Sequence, residues 1–260
     1  MVIPIHDDNP VRRTPVITYA LIALNFIFFF TEPVVSQIGV GQQTVAQVCQ
    51  QQRYFDTYAA IPKEMTTNRP LPPHRYLIET QEGLVRCDVD EHGKKPYLSV
   101  LYSMFLHGGW LHILGNMLFL WVFGNNVEDR FGRWQFLLFY LFCGYVAAYG
   151  FAYGSPNSTT TLVGASGAIA GVLGAYLVLF PGARVTSIVP IAIIWIPLRL
   201  PAWVVLGGWF LLQWLYSSGT AVASGAGVAY LAHVFGFLAG VVIALLMRPR
   251  LSRPAPVPYR

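Results

Sequence analysis

The sequence predicts an all-α membrane protein: a bundle of six transmembrane helices with both termini in the cytoplasm. Three observations carry this. Hydrophobic residues make up 55% of the 260-residue chain and charged residues only 11%, where a soluble domain carries roughly 25% charge. Charge-free runs recur along the chain, at or near the ~20 residues a helix needs to cross a bilayer. Outside the long 32–97 segment, the arginines gather at alternate ends of these runs, so that one side of the membrane receives all of those.

The first run lies between Arg13 and Glu32 and gives span 1 at 15–31. Its basic flank and apolar body resemble a signal peptide, but no small-residue cleavage site follows, so it reads as a retained span. Residues 32–97 then collect most of the acidic residues and much of the proline. They read as a long extracytoplasmic loop with structure of its own. Cys49 and Cys87 fall within it and are candidates to pair outside the cytoplasm. Cys143 lies in an apolar run and reads as a small packing residue.

Residues 98–247 form the membrane core. Span 2 is expected near 110–127 and is closed by "EDRFGR". No charge occurs between Arg133 and Arg184, but "GSPNSTTT" breaks that stretch into spans 134–153 and 165–182. The segment 185–197 is apolar, too short to cross, and interrupted by Pro190 and Pro197; it reads as an interfacial or extended connector. Spans 5 and 6 follow at 201–217 and 226–247. Residues 1–14 and 248–260 are the cytoplasmic tails.

Charge sets the orientation. With six spans, Arg12, Arg13, Arg130, Arg133, Arg184, Arg199 and the arginines after span 6 all fall inside. A seventh span at 185–197 would put the tail outside. The net charge of +5 is thus accounted for by cytoplasmic loops, and no basic, aromatic-interleaved block points to nucleic acid.

Polar residues inside the spans carry the functional reading, because ionisable groups in a membrane are costly and face a bundle interior or a wet cavity. "HGGWLHILGN" puts His112 and Asn116 four apart, on one helical face. His233 lies about seven residues into span 6, roughly 10 Å below the outer boundary at 1.5 Å per residue. Ser166 lies at the outer start of span 4. One Ser, two His and an Asn thus share a depth on three helices. Each alone is ordinary: a small residue, or hydrogen-bond glue between helices. Together they suit nucleophilic catalysis. Serine needs a base, which His233 can be, and donors for the oxyanion, which His112, Asn116 and the Ser166 N–H can be. Gly167 and Gly171, and Gly236 and Gly240, are G-x-x-x-G pairs that let helices approach closely. No Asp or Glu lies within a span, which leaves a dyad rather than a Ser-His-Asp triad and argues against an aspartyl protease. No H-E-x-x-H is present for a zinc protease.

"GASGAIAGVLGAY" (164–176), "HGGWLHILGNMLFLWVFG" (107–124), "VEDRFG" (127–132) and "AHVFGFLAG" (232–240) resemble, in order and spacing, the signature motifs of rhomboid intramembrane serine proteases. The resemblance implies a six-helix bundle around a water-filled cavity, with a short central fourth helix. It implies Ser166 as nucleophile and His233 as general base, with His112, Asn116 and the Ser166 amide as the oxyanion hole. His107 matches a supporting histidine, and Glu128 and Arg130 a pair tying the cytoplasmic helix ends. The implied activity is serine endopeptidase cleavage in or near the transmembrane segment of single-span membrane-protein substrates, without metal or cofactor. The expected location is the lipid bilayer of a bacterial cytoplasmic (inner) membrane. The alternative is a membrane client-binding or transport protein using the same polar cavity.

Three features depart from the family pattern. Ala170 stands where well-known members have an aromatic packed on the catalytic histidine. Leu98 and Ser99 stand where they have a Trp-Arg pair. The 32–97 loop is longer than the minimal pattern.

Overall fold

In the computed structural model of the chain, residues 3–33, 44–80, 83–90, 93–191, 194–218 and 229–251 are described. The chain is mostly helical. Helix α1 (Val16–Thr31) matches the first expected span. A continuous helical path runs through α5 (Trp110–Phe119), one π-helical turn (Leu120–Gly124) and α6 (Asn125–Phe131). Then come α7 (Arg133–Gly154), α8 (Ser166–Leu179), α9 (Ala202–Ser217) and α10 (Tyr230–Leu251). Among the described residues, α7 and α10 are long and apolar enough to cross a membrane, while α1 and α8 are shorter apolar helices.

Helix α8 is the centre of the bundle. Every residue from Ala168 to Tyr176 is buried, so it is covered on all sides, which its Gly/Ala-rich sequence permits. Its 14 residues rise about 21 Å, short of the ~30 Å hydrocarbon core. Helix α10 packs against it most extensively. At that seam Gly236 faces the Gly167 carbonyl and Gly240 faces the Gly171 carbonyl, so closely that a methyl at either glycine would overlap the facing backbone. The paired small residues therefore set the α8–α10 spacing.

Two small sheets correct the all-α expectation. The connector after α8 is a β-hairpin, β4 (Arg184–Ile191) and β5 (Ile194–Pro201), and β1 (Ile3–Asp7) adds to it as a third antiparallel strand. Prolines 190 and 197 do not prevent pairing in so small a sheet. Pro197 lies on β5, an edge strand, where proline is tolerated. The sheet is tied to the bundle through Asp7, whose carboxylate accepts from Tyr176 Oη at 2.6 Å and Asn126 Nδ2 at 2.8 Å. Burial pushes the Asp7 carboxyl above its ordinary range, partly offset by the Tyr176 hydrogen bond.

The second sheet belongs to the long loop, which folds as a module of α2 (Val45–Tyr58), α3 (Pro62–Thr67) and the hairpin β2 (His74–Thr80)–β3 (Gly83–Val89). Thr44 and Gln47 form a capping box at the start of α2, satisfying N–H groups that a helix end leaves open. Cys49 and Cys87 form a disulfide joining α2 to β3. Lys94 pairs with buried Glu64 at 2.7 Å and donates to the Ala59 carbonyl. Tyr76 Oη donates to Asp56 at 2.7 Å, and burial together with this carboxylate pushes the Tyr76 phenol well above its ordinary pKa.

The module docks on the bundle at two adjacent places. Ala60 N donates to Ser103 Oγ at 2.6 Å, and Leu162 N donates to the Ala60 carbonyl at 2.8 Å. Ser103 follows directly in α4 (Pro96–Ser103), and its carbonyl accepts from Gly164 N at 2.9 Å. The loop module thus braces residues 162–164, the strand-like approach to Ser166.

Candidate active site

Ser166 is the first residue of α8. The first N–H groups of a helix have no intrahelical acceptor, and the helix dipole adds positive potential there. The Ser166 amide is therefore placed where an anion is favoured. The chain reaches it through Gly164, whose φ of +117° is a conformation that L side chains rarely adopt.

His233 lies in the first turn and a half of α10, and its Nε2 is 2.8 Å from Ser166 Oγ. The close α8–α10 seam makes this reach possible, because serine's side chain is short. The two residues come from positions 67 apart in the sequence and meet side chain to side chain.

His112, on α5, completes the cluster from a third helix. The Gly108 N–H donates to His112 Nδ1 at 3.3 Å. Nδ1 is then the acceptor nitrogen, and the ring hydrogen belongs on Nε2. That nitrogen faces Gly164: a Cβ built on Gly164 would lie 2.7 Å from His112 Nε2 and 3.7 Å from Ser166 Oγ. His112 therefore presents an N–H donor beside the serine. Ser166, His233, His112 and Gly164 line one cavity of about 600 Å³, together with Met104 and residues of α7 and α10.

Asn116 behaves differently from the expectation. It is buried, one turn along α5 from His112, and its Nδ2 donates to the His112 carbonyl at 2.8 Å. It is not among the residues lining the cavity. Sequence spacing gave its face of the helix correctly, but its amide turns along its own helix to satisfy a backbone acceptor.

His107 is fully buried with its ring 5.1 Å from that of His112, which fits a supporting place. Its backbone N–H donates to the Glu32 carboxylate at 3.1 Å. Burial holds the Glu32 carboxyl up at about 7, with the His107 N–H pulling weakly the other way. Glu128 does tie helix ends together, at the start of α1: its carboxylate accepts from Ile17 N, Thr18 N and Thr18 Oγ1 at 2.7–3.0 Å, the favourable place for an anion. The Arg130 guanidinium lies over the Phe180 ring at 5.1 Å.

Two residues at the cluster were not singled out from the sequence. Gln213 on α9 places its Oε1 2.7 Å from His233 Nδ1. Trp209, one turn earlier, sets its ring 5.8 Å from the His233 ring. Ala170 itself is buried in the α8 core. A lone Gln in the apolar run 202–217 was the available signal, since intramembrane polar side chains seek partners.

Comparison with known proteins agrees with this architecture. Rhomboid-like protein 11, chloroplastic, of Arabidopsis thaliana is 27% identical over 166 residues, covering 60% of this chain and 54% of that protein. Rhomboid protein 1, mitochondrial, of Saccharomyces cerevisiae is 29% identical over 150 residues, 56% of this chain and 40% of that protein. Rhomboid protease GluP of Bacillus subtilis is 41% identical over 78 residues, 30% of this chain and 15% of its own. The aligned stretches span about half or less of these relatives' lengths. Since the relatives include chloroplast and mitochondrial proteins, they do not single out a bacterial inner membrane. The Rhomboid domain profile matches residues 94–250, more than half of the 260 residues and all of the helices around the Ser166 cavity, and the chain therefore belongs to the rhomboid family of integral membrane proteins.

Proposed function

We propose that this protein is an intramembrane serine endopeptidase that uses Ser166 as nucleophile and His233 as general base. The observation that carries the reading is the 2.8 Å contact between Ser166 Oγ and His233 Nε2 inside a cavity large enough for a peptide segment. Family relatives include a rhomboid protease, which supports the same reaction class.

In the proposed reaction Ser166 Oγ attacks the scissile carbonyl carbon while His233 Nε2 takes its proton. The carbonyl oxygen becomes an oxyanion, met by the Ser166 N–H and by His112 Nε2–H. His233 then gives its proton to the departing amine and the C–N bond breaks, leaving an acyl-serine. A water loses a proton to His233 and attacks the acyl carbon; the C–Oγ bond then breaks, His233 returns the proton to Ser166 Oγ, and the new C-terminal acid leaves. No metal or cofactor is required by these steps. The Asn116 amide has two N–H groups, one of which serves the His112 carbonyl; to join the oxyanion hole the side chain must reach a cavity that it does not line.

The proposed topology has six spans, with both termini and the β1–β4–β5 sheet cytoplasmic and the disulfide-bonded module of residues 32–97 outside. The rhomboid core is 98–247. Ser166 then lies near the outer face, and substrates are single-span membrane proteins cut in or near their transmembrane segment. The test is cleavage of a transmembrane peptide by detergent-solubilised full-length protein. Wild type is expected to cleave, and Ser166→Ala and His233→Ala are expected not to. Cleavage that survives Ser166→Ala overturns the reading.

A further inference from the structure

A histidine base must be held in one tautomer. His233 Nε2 can take a proton from Ser166 only if it carries a lone pair, so the ring hydrogen must sit on Nδ1. In an apolar bundle, an Nδ1–H without an acceptor is costly. The acceptor most serine hydrolases use is a carboxylate, and no Asp or Glu lies within the described helices around this ring.

The elements packed against His233 offer few polar atoms. Helix α8 gives Ser166, α5 gives His112 and α9 gives Gln213. Gln213 is 9% exposed and lies on the buried face of α9 with Ala202, Val205 and Leu206. Its Oε1 is 2.7 Å from His233 Nδ1. Trp209, four residues earlier on the same face, lies against the ring of His233 and also against Phe237, one turn further along α10. Helix α9 therefore grips the imidazole twice, by its edge and by its face.

We infer that Gln213 is the positioning residue of this active site: its amide oxygen accepts the Nδ1–H of His233, fixes the productive tautomer and makes the site a Ser166–His233–Gln213 relay with an uncharged third member. The inference rests on the serine-protease reading above. A neutral amide suits the location, because burying it costs far less than burying a carboxylate. It also keeps the same charge at every pH. In exchange, it stabilises the imidazolium formed during attack only through its dipole.

The test uses full-length protein in detergent, with kcat, KM and the pH profile measured on a transmembrane peptide and normalised to folded protein. Gln213→Met keeps the length and removes the acceptor. It is expected to lower kcat about 10-fold or more with KM little changed, the size of one lost hydrogen bond in the transition state. Gln213→Glu restores an acceptor and adds charge, which favours the imidazolium. It is expected to recover much of the lost kcat at high pH and to shift the acid limb of the profile upward. In ¹⁵N-histidine-labelled wild type, His233 is expected to show hydrogen on Nδ1 and a bare Nε2. Wild-type kcat and pH profile in Gln213→Met overturn the inference while leaving the dyad intact. An Nε2–H tautomer in wild type overturns it without recourse to any variant. Cleavage that survives Ser166→Ala removes the protease reading itself, and this inference with it.

Discussion

Gly164→Ala puts the approach to the serine under direct strain. Gly164 has φ +117°, so any side chain there is disfavoured; forcing such a backbone costs about 1–3 kcal/mol. At about 2–4 °C per kcal/mol for a chain of this size, the melting temperature should fall by several degrees. The steric effect is more specific. The new methyl would lie 2.7 Å from His112 Nε2, and ordinary contact begins at 3.4 Å, so the imidazole must retreat by about 0.7 Å. Misplacement of a catalytic group by about 1 Å can cost ~10²-fold in rate. The expected result is a kcat reduced by tens to about a hundredfold per folded molecule, with KM nearly unchanged, because an oxyanion donor acts mainly in the transition state. The assay is steady-state cleavage of a transmembrane peptide alongside thermal melting of the same preparation. Gly115→Ala is the control, since a Cβ there meets nothing within 4 Å. A Gly164→Ala protein that melts lower yet turns over at the wild-type rate would refute the placement of His112 beside the oxyanion.

Gly236→Val should lower stability and activity together, because its side chain would meet the Gly167 carbonyl and push α10 from α8; unchanged Tm and kcat would disprove that the glycine seam sets the Ser166–His233 distance. His112→Ala should cost about 10²–10³ in kcat, and Asn116→Ala less, since Asn116 does not line the cavity and one of its N–H groups serves the His112 carbonyl; equal losses at constant folded fraction would place Asn116 in the oxyanion hole. Glu32 has a carboxyl pKa raised from 4.5 to about 7, so the folded state holds its proton more tightly than the unfolded one. The stability this contributes is fully present below pH 4.5 and is lost as pH rises through about 7. Thermal melting from pH 5 to 8 should therefore slope downward in wild type and more gently in Glu32→Gln; parallel slopes would contradict it.

Much of the site could be read from the sequence because it depends on periodicity and depth. Ser166, His112 and His233 each sit at a helix position fixed by counting residues, and the glycine pairs mark the seam that brings two of them together. The helix limits follow from charge-free runs; α7 starts at Arg133, where the charges stop. What escaped was non-local or rotameric. The strand β1 pairs with β4 across about 180 residues, and no local pattern in 3–7 announces it. The connector 185–197 carried the right length signal for a segment that is not a long helix, yet its prolines hid the hairpin. Asn116 was placed on the correct face, but which acceptor its amide would choose depends on a side-chain torsion. Gln213 required knowing that α9 lies against α10 with its polar face turned to the ring. Glu128 was recognised as a helix tie, but two of its partners are backbone N–H groups of α1, which carry no side-chain signature, and the third is the Thr18 hydroxyl.

The most direct measurement is the site of covalent modification by a fluorophosphonate probe, mapped by mass spectrometry on the intact folded protein. In the proposed reaction the activated serine is Ser166, whose Oγ lies 2.8 Å from His233 Nε2 in an open cavity. The account predicts a single adduct on Ser166, absent in Ser166→Ala and strongly reduced in His233→Ala. An adduct on another serine, or labelling that persists at the wild-type rate in Ser166→Ala, would contradict it.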